Sequence, residues 1–261
     1  MSAKKHRLDL MLIEKGWFAS RQRAQAAIMA GKVFVNDQRV DKPGYSVSSL
    51  DTIECKGDVV AYVSRGGLKL EAALQHFSLD VTAAICLDVG ASTGGFTDCL
   101  LQHGAKRVYA LDVGYGQLAW KVRQNPRVIV MERTNARYLK ADALPEHVDL
   151  ITIDVSFISL KIIVPAVIQF VKPNAPILAL IKPQFEVGKG QVGKGGVVRN
   201  PQLHEQVIHT LTEYFHVQQL KPDPVYASPV PGPKGNREFF MRLQPESNLS
   251  DSDFSDMPGH G

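Results

Sequence analysis

The stretch LDVGASTGGFTD, from Leu87 to Asp98, indicates the fold of most of the chain. It reads as an apolar strand that runs into a glycine-rich turn and then into a helix. Glycines at positions 90, 94 and 95 allow a tight turn and a close approach of the backbone to a ligand. The start of the following helix offers free N–H groups to an anionic or polar ligand. This stretch therefore predicts a ligand-binding turn in an α/β domain.

Three kinds of glycine-rich turn can be compared with this one. A dinucleotide-binding turn reads G-x-G-x-x-G, but Ser92 stands where the second glycine belongs. A nucleotide P-loop needs Lys and then Ser or Thr after its last glycine, and Phe96 follows Gly95 instead. The remaining form, D-x-G-x-x-x-G from Asp88 to Gly94, is typical of turns that hold the methionine part of S-adenosylmethionine in class I methyltransferases.

Two acidic residues at strand ends extend this prediction. Asp112 ends the next strand and can accept hydrogen bonds from both ribose hydroxyls of the cofactor, and Asp154 ends a later strand. We therefore expect S-adenosylmethionine as cofactor, with both carboxylates beside it. The other predicted contacts are the turn residues themselves: Gly90, Ala91, Ser92, Thr93, Gly94, Gly95 and Phe96.

Seven apolar segments alternate with helical stretches along the body of the chain: ICLDVG, RVYALD, VIVM, DLITID, PILALI, FHVQQL and REFFMRL. This alternation predicts a Rossmann-like α/β fold with a mostly parallel, seven-stranded sheet. Ligands bind at the carboxyl ends of the strands in such a sheet. Lys182 follows five apolar residues at such an end, where a surface lysine is not expected, and Glu238 opens the last segment. Lys69 lies on the amphipathic helix that leads into the first strand.

The front of the chain, residues 5–60, reads as a separate small α+β module. Two short helices, Arg7–Glu14 and a second one capped by Ser20, precede a hairpin that turns at Asn36 and Asp37. The basic residues of this module predict a surface for folded nucleic acid, although an ordinary solvated surface would look the same: Lys5, Arg7, Arg21, Arg23 and Lys32.

Charge and composition limit the classes of protein to which this chain can belong. The 261 residues carry a net charge of +4, but the last seventeen hold four acids and no Lys or Arg. The rest of the chain has 30 basic against 22 acidic residues, which favours a polyanionic partner. The three cysteines form no CxxC pair, so we expect no metal site. The most hydrophobic run, 162–171, is about half the ~20 residues needed to span a bilayer, and the N-terminus lacks a signal region, so we expect a cytoplasmic protein without membrane contact.

The segment IKPQFEVGKGQVGKGGVV, from Ile181 to Val198, resembles a P-loop because Gly188 precedes Gly193 and Lys194 at the right spacing. Gly195 stands where the magnesium-binding Ser or Thr would be required, so we reject that interpretation. We interpret the segment as a basic loop beside the active site, with Lys189 and Lys194 available to phosphates. An ordinary flexible connection is the alternative.

Two motifs now point to known families. SRQRAQAAIMAGKVFVN, from Ser20 to Asn36, resembles an S4 RNA-binding domain. Lys69, Asp154, Lys182 and Glu238 together resemble the Lys-Asp-Lys-Glu tetrad of FtsJ-like ribose 2′-O-methyltransferases. An S4 module followed by such a domain is similar to the TlyA, or hemolysin A-like, family of rRNA methyltransferases.

The resemblance implies a domain division and further site residues. It implies an S4-like domain at 5–60, a linker at 61–67, an FtsJ-like methyltransferase domain at 68–244 and an acidic, disordered tail at 245–261. It also implies that Asn135 and Phe157 contact the adenine end of the cofactor. Arg65, in the linker, is a candidate for an RNA contact that couples the domains.

The same resemblance implies the reaction: methyl transfer from S-adenosylmethionine to a ribose 2′-hydroxyl, of cytidine, in ribosomal RNA of the small or large subunit or both. The hydroxyl must be placed in line with the methyl group and must lose its proton. We expect Lys182 to act as base or steering group, Asp154 and Glu238 to orient it, and Lys69 to adjust the charge near the ribose.

Three other classes of function stay open at this stage. An RNA-binding ribosome assembly factor with an inert methyltransferase domain would keep the same fold. A membrane-active hemolysin would need an apolar or strongly amphipathic segment that the sequence lacks. A magnesium-dependent methyltransferase of small molecules would need a carboxylate cluster and would leave the S4-like module unexplained.

Overall fold

The computed structural model describes residues 5–14, 17–18, 21–48, 51–56, 62–188, 190–193 and 195–245, except for the side chains of Arg23 and Pro233. Several predictions concern residues outside this set and stay predictions: the cap at Ser20, the side chain of Arg23, the loop lysines Lys189 and Lys194, and the tail beyond Pro245.

The N-terminal module is a small α+β unit around its own core. Its elements are β1 (His6–Arg7), α1 (Leu8–Glu14), α2 (Arg21–Met29), β2 (Val33–Val35), β3 (Gln38–Val40), β4 (Ser46–Val47) and β5 (Ile53–Cys55). The predicted turn joins β2 to β3 through Asn36 and Asp37, both with positive φ, the conformation that a two-residue hairpin turn requires. Leu8, Leu12 and Ile28 are fully buried between the two helices and the strands.

The body of the chain is an α/β domain with one large sheet. Its strands are β6 (Ile85–Val89), β7 (Arg107–Leu111), β8 (Val128–Met131), β9 (Leu150–Ile153), β10 (Ile177–Ile181), β11 (Leu220–Pro222), β12 (Tyr226–Ala227) and β13 (Phe239–Pro245). Its helices are α3 (Arg65–His76), α4 (Gly95–Gln102), α5 (Trp120–Arg123), α6 (Leu160–Val167), α7 (Pro183–Glu186) and α8 (Pro201–Val217). Short 3-10 turns occur at 136–138, 168–170 and 233–235.

Seven strands run across the sheet in the order β11-β13-β10-β9-β6-β7-β8. The five from β10 to β8 are parallel, and β13 is antiparallel to both of its neighbours. The two-residue strand β12 adds an eighth strand on β13, which the sequence did not predict. The mostly parallel Rossmann-like sheet is therefore confirmed.

The sheet is covered by apolar layers on both faces, because successive residues of a strand point to opposite sides. Leu87 and Val89 face the layer that contains α6 and α8, whereas Cys86 faces the layer that contains α3 and α4. Strands buried on both faces are mostly apolar along their length, which is why β6, β9 and β10 were recognisable in the sequence.

The structure differs from the sequence interpretation at two element boundaries. α3 begins at Arg65, inside the predicted linker 61–67, because the Ser64 side chain accepts a hydrogen bond from the N–H of Gly66 and caps the helix; the domain division itself stays a prediction. FHVQQL was read as a strand, yet its first half is the last turn of α8, whose buried stripe extends to Phe215. The following strand starts only at Leu220, after Gln219 turns the chain with a φ of 57°.

Candidate active site

The candidate site lies where the strand order reverses. The chain proceeds from β6 outward to β7 and β8, and then returns to the other side of β6 to form β9. The loops that follow β6 and β9 therefore diverge from a common point, which is the usual ligand crevice of such sheets. Gly90 and Asp154 follow these two strands side by side, since a Cβ at Gly90 would lie 2.5 Å from the carbonyl oxygen of Asp154.

The glycine-rich turn is tightly packed against the start of two helices. Gly90 and Gly94 have φ values of 88° and 95°, in the left-handed region that favours glycine. Gly95 begins α4, and a Cβ there would overlap Ser64 Oγ and come within 2.9 Å of the N–H nitrogen of Gly67. The turn therefore needs glycine at these positions because backbone and neighbouring helix occupy the space.

A cleft of about 310 Å³ opens beside this turn. Its volume is at the lower end of the roughly 300–1,000 Å³ typical of small-ligand sites. The residues that line it come from the start of α3, the glycine-rich turn and the ends of β9 and β10: Ser64, Arg65, Gly66, Lys69, Gly90, Ala91, Ser92, Thr93, Gly95, Phe96, Asp154, Ser156 and Lys182. Thus three of the four tetrad residues and most of the predicted turn residues line one cavity.

Asp88, the acid that precedes the turn, is fully buried beneath it. Thr97 of α4 donates a hydrogen bond to its Oδ2 over 2.6 Å, and Thr152 of β9 donates to its Oδ1 over 3.1 Å. Burial raises the pKa of Asp88 to about 7, although the two threonine hydroxyls oppose that shift. Asp88 therefore ties α4 and β9 to the end of β6 from inside the domain.

Asp112 lies at the end of β7 and holds the backbone around the turn. Its carboxylate accepts hydrogen bonds from the N–H of Ser92 over 2.8 Å and from the N–H of Gly114 over 2.6 Å. It is partly exposed, so its outer lone pairs can still accept hydrogen bonds from a ligand. This position agrees with the predicted ribose contact.

Lys182 and Asp154 form an ion pair in the cleft. The Nζ of Lys182 lies 2.6 Å from Oδ1 of Asp154 and donates to Oγ of Ser156 over 3.0 Å. Both side chains are mostly buried, with 11% of Lys182 and 21% of Asp154 exposed. The ends of two neighbouring parallel strands bring these side chains together, as the sequence predicts.

Lys69, which lines the cleft, forms a second ion pair with Glu238. Nζ of Lys69 donates to Oε2 of Glu238 over 2.6 Å, and the Glu238 side chain is fully buried. The backbone at Gly232 closes over Oε1, because a Cβ there would overlap that oxygen. The ion-pair partner of Glu238 is thus Lys69 and not Lys182, and the four charges form two neutral pairs; the role of Glu238 toward Lys182 stays a prediction.

The predicted adenine contacts lie on loops at the same edge of the sheet but do not line the cleft. Asn135 is exposed and accepts a hydrogen bond from the N–H of Arg137, which caps the 3-10 turn at 136–138. Phe157 is 90% exposed, has a φ of 66° and packs its ring 4.8 Å from that of Phe185. Their roles toward the cofactor remain predictions.

The basic residues of the N-terminal module are organised around one buried acid. Asp9 of α1 accepts hydrogen bonds from Arg7 over 3.0 and 2.9 Å, from Arg21 over 2.9 Å and from Gln25 over 2.8 Å. These hydrogen bonds, that of Arg7 foremost, lower the pKa of Asp9 well below its usual range. About half of each arginine side chain remains exposed. Lys5 and Lys32 are exposed, and Arg65 instead lines the cleft.

Three residues of these sites were missed at the level of sequence. Ser64 and Ser156 line the cleft, and Asp9 holds the arginine pair. A serine two residues after the strand-end acid was a detectable signal for Ser156, and an N-cap serine before a helix was one for Ser64. Arg7 lies two residues from Asp9, but no local pattern reveals the pairing with Arg21, which is twelve residues away.

Two further properties of the described residues concern metals and membranes. Within the ranges given above, no group of three His, Cys, Asp or Glu side chains could hold a metal ion. Likewise, no described helix has the length and apolar character required to cross a bilayer.

The residues present fit S-adenosylmethionine. Gly90 and the first residues of α4, Gly95 and Phe96, line the cleft without bulky polar groups, and Asp112 is available at the next strand end. Bound there, the cofactor would supply an activated methyl group on a sulfonium.

Comparisons with known proteins agree with this geometry. The family model for FtsJ-like methyltransferases matches residues 62–244, and that for the S4 domain matches residues 7–53. The 16S/23S rRNA (cytidine-2′-O)-methyltransferase TlyA of Mycobacterium tuberculosis is 46% identical over 94% of this chain and 92% of its own. Hemolysin A of Brachyspira hyodysenteriae is 42% identical over 91% of this chain and 99% of its own.

A solved structure from Streptococcus thermophilus, of a protein that carries the name hemolysin, is also similar. It is 42% identical, with a TM-score of 0.71, and the match covers 97% of this chain and 94% of that one. Both the sequence matches and this structure span the S4 module and the sheet domain together. The chain therefore belongs to the FtsJ-like methyltransferases and, among these, to the TlyA group that joins such a domain to an S4 domain.

Proposed function

We propose that this protein transfers a methyl group from S-adenosylmethionine to the 2′-hydroxyl of a cytidine in ribosomal RNA. The observation that carries the proposal is the Lys182–Asp154 ion pair, which lines the same cleft as the glycine-rich turn. The rRNA (cytidine-2′-O)-methyltransferase named among its relatives supports the choice of substrate. Ribosomal subunits would be the partners, and the reaction would take place in the cytoplasm.

The cofactor would be held by the glycine-rich turn and Asp112, with Asn135 and Phe157 at its adenine end. Asp88 does not face the cleft, so we assign it a structural part: it fixes the turn by joining Thr97 to Thr152. The cofactor supplies the electrophilic methyl group, and the protein has to place the acceptor oxygen in line with it.

Lys182 is assigned to steering of the acceptor hydroxyl. Its ammonium group has three donors; one donates to Ser156, and the group lies 2.6 Å from Oδ1 of Asp154. Another donor of this group can donate to the 2′-oxygen and direct the other lone pair of that oxygen toward the methyl group. This role fits the charge balance of the site better than that of a base, because Lys69 is paired with Glu238 and does not act as a second free cation on Lys182.

The hydroxyl proton leaves to the Asp154 carboxylate. As the bond between oxygen and methyl carbon forms, the bond between carbon and sulfur breaks, and the proton on the oxygen becomes strongly acidic. A carboxylate beside the hydroxyl is then sufficient as acceptor. Lys69 and Glu238 stabilise the wall of the cleft next to the ribose and contribute no net charge.

The test is transfer of tritiated methyl from S-adenosylmethionine to purified small and large ribosomal subunits. We compare the wild type with Lys182→Met and with Lys221→Met, the same substitution at an exposed lysine on β11. Label at an alkali-resistant linkage that is lost in Lys182→Met and kept in Lys221→Met is the expected result.

Two results would contradict the proposal. Full activity of Lys182→Met would remove Lys182 from the mechanism. Absence of label on both subunits and on protein-free rRNA, with S-adenosylmethionine still bound in calorimetry, would favour the assembly factor with an inert methyltransferase domain.

A further inference from the structure

Glu186, the last residue of α7, is a partly buried carboxylate that the proposed mechanism does not use. Its Oε2 accepts a hydrogen bond from the hydroxyl of Ser159 over 2.7 Å, and its Oε1 accepts one from the N–H of Leu160 over 2.8 Å. Burial raises the pKa of Glu186, although these two hydrogen bonds and the charge of Lys161 oppose that shift. Both oxygens therefore bind the beginning of α6, which lies 26 positions earlier in the chain.

The segment that Glu186 holds carries two groups of the candidate active site. Residues 154–159 lead from β9 to α6 and include Asp154 and Ser156, which both contact Lys182. Within the described part of the chain, no backbone N–H from 155 to 159 donates to a backbone carbonyl. The position of this segment therefore depends on its side-chain contacts.

Three of these contacts join the segment to one short stretch, Lys182 to Glu186. Lys182 contacts its beginning, the rings of Phe157 and Phe185 lie 4.8 Å apart near its middle, and Glu186 binds its end. Phe157 is 90% exposed, so the ring contact excludes little water. Glu186 is thus the main anchor at the end opposite to Lys182, and a shift there changes the approach of Lys182 to Asp154.

The helix α7 is too short to keep its own place. It is a single turn, with hydrogen bonds from the N–H of Phe185 to the carbonyl of Lys182 and from the N–H of Val187 to that of Pro183. Isolated helices of this length are not stable in water, so neighbouring contacts must hold the turn. Glu186 supplies such a contact, and hydrogen bonds to a charged carboxylate are stronger than those between neutral groups.

A cavity of about 140 Å³ lies beside Glu186, between α6, α7 and α8. Its lining includes the polar side chains of Gln191, Gln206 and Thr210, so water can occupy it. If Glu186 is truncated, water from this cavity can bind the groups at the start of α6, and the domain should still fold. Water cannot hold α7 against residues 154–159, however, so the placement of Lys182 should suffer.

We propose that Glu186 is a positioning residue for methyl transfer: it holds residues 154–159 against α7 and thereby sets the contacts of Lys182 with Asp154 and Ser156. The proposal rests on the proposed function, since it assumes that Lys182 steers the acceptor hydroxyl. Glu186 does not line the cleft, so it acts through Lys182 without touching substrate or cofactor.

The test compares three variants of the full chain with the wild type. Glu186→Ala removes the carboxylate, Glu186→Asp keeps the charge on a side chain one methylene shorter, and Glu186→Gln keeps the length and two hydrogen-bonding atoms. Glu205→Ala is the matched control, the same truncation at an exposed glutamate of α8.

Two kinds of measurement are made on each variant. Methyl transfer to ribosomal subunits at saturating S-adenosylmethionine gives kcat and the KM for RNA. Labelling of Lys182 with an amine-reactive ester, followed by mass spectrometry of the peptides, reports how accessible its ammonium group is in the protein alone. Melting temperatures show whether each variant is folded.

We expect Glu186→Ala to lower kcat about 100-fold, the size of the effect when a reacting group is displaced by roughly 1 Å, and to leave the KM for RNA unchanged. Lys182 should be labelled faster in this variant, because its side chain, 11% exposed in the wild type, loses its fixed place. Glu186→Asp should lie between the two, Glu186→Gln should recover most of kcat, and Glu205→Ala should change neither quantity.

Three outcomes would overturn the proposal. A lower melting temperature with wild-type labelling of Lys182 would give Glu186 a role in stability alone. A raised KM at unchanged kcat would place Glu186 in RNA binding. Loss of kcat in Glu186→Gln as large as in Glu186→Ala would reject the hydrogen-bonded contact as the cause. If Glu186→Ala does not fold, the same readings on Glu186→Asp decide.

Failure of the proposed function would look different. Labelling of Lys182 requires neither RNA nor cofactor, so labelling that depends on Glu186 in a protein without methyl transfer would support the positioning of Lys182 and reject only the reaction.

Discussion

Asp9 and Asp88 are both fully buried carboxylates, yet their surroundings shift their pKa values in opposite directions. Asp9 accepts hydrogen bonds from two guanidinium groups, which lower its pKa. Asp88 accepts hydrogen bonds from two hydroxyl groups and a backbone N–H, but burial dominates, with a smaller contribution from the charge of Asp154, and raises its pKa to about 7. The two domains should therefore respond to pH in opposite ways.

The free energy of unfolding of the sheet domain should decrease as pH rises from about 4 to about 7. An unfolded aspartate loses its proton near pH 4, whereas folded Asp88 keeps it up to about pH 7, so the folded state binds more protons in this window. Asp88→Asn should flatten the dependence, and Asp142→Asn, at an exposed aspartate, should not. Urea unfolding of the cofactor-free protein at several pH values measures this, and an unchanged slope in Asp88→Asn would assign the effect to other groups.

The N-terminal module should lose stability as pH falls below about 4. The depressed pKa of Asp9 stabilises the folded state fully above the unfolded pKa near 4, and this contribution disappears as pH falls through the folded value. Hydrogen exchange at pH 3 and pH 5 should therefore show faster opening of α1 and α2 at the lower pH, before β6 and β9 open. Asp9→Asn should remove most of that difference, and equal opening of both domains at pH 3 would contradict the assignment.

At the level of elements, the first turns of α3 and α4 pack against each other. Gly95 of α4 lies against Ser64 and Gly67, so the turn proposed to hold the cofactor rests on the helix that carries Lys69. A side chain at position 95 would push the two helices apart and move the free N–H groups of α4.

Gly95→Ala should therefore lower S-adenosylmethionine affinity about tenfold or more, and should also lower the melting temperature, because the added methyl group overlaps backbone as well as Ser64. Gly188→Ala is the matched control, since its Cβ would meet only the Gln191 side chain at 3.5 Å, an ordinary contact. Calorimetric titration measures both variants. Equal affinities would mean that α3 and α4 can separate without affecting the turn.

Features that depend on residues close together in the sequence could be predicted, and those that depend on distant residues could not. The turn from Gly90 to Gly95 and the strand-end acids are local patterns, and their arrangement in the sheet follows from strand order alone. The partner of Glu238 could not be predicted, because Lys69 lies 169 positions away. Two lysines and two carboxylates can also pair in two ways, and the sequence does not favour either. The contact of the Arg133 guanidinium with the Tyr115 ring, 4.0 Å from its centre, depends on a loop conformation that the hydrogen bond to Gly114 and an uncommon φ at Arg133 set jointly.

The prediction from sequence was also wrong where the apolar periodicity of a helix continued past its expected end. Phe215 extends the buried stripe of α8 by one turn, although FHVQQL taken alone has the composition of a strand. The beginning of α3 was missed for a different reason, since the resemblance placed residues 65–67 in a linker while the cap at Ser64 started the helix.

For the molecule as a whole, the main long-range property is its uneven charge. The chain outside its last seventeen residues has 30 basic against 22 acidic residues, and the N-terminal module exposes several of these cations. Binding to RNA should then release counterions, and affinity should fall linearly with the logarithm of salt concentration.

Lys32→Gln should reduce the magnitude of that slope by about 1 if the lysine contacts a phosphate. Lys221→Gln, at an exposed lysine on the edge strand β11, should leave the slope unchanged. Filter binding of rRNA fragments at four or five salt concentrations is sufficient. Equal slopes for Lys32→Gln and the wild type would place the RNA on a different face of the module.

The position of β13 in the sheet has a further consequence for the order in which the domain folds. It inserts between β10 and β11, and it follows Glu238, the partner of a lysine near the start of the domain. Contacts between residues far apart in sequence form slowly, so we expect this pairing among the late steps of folding. A chain still emerging during synthesis would thus have its glycine-rich turn before it has a finished cleft, and methyl transfer would report on complete folding of the domain.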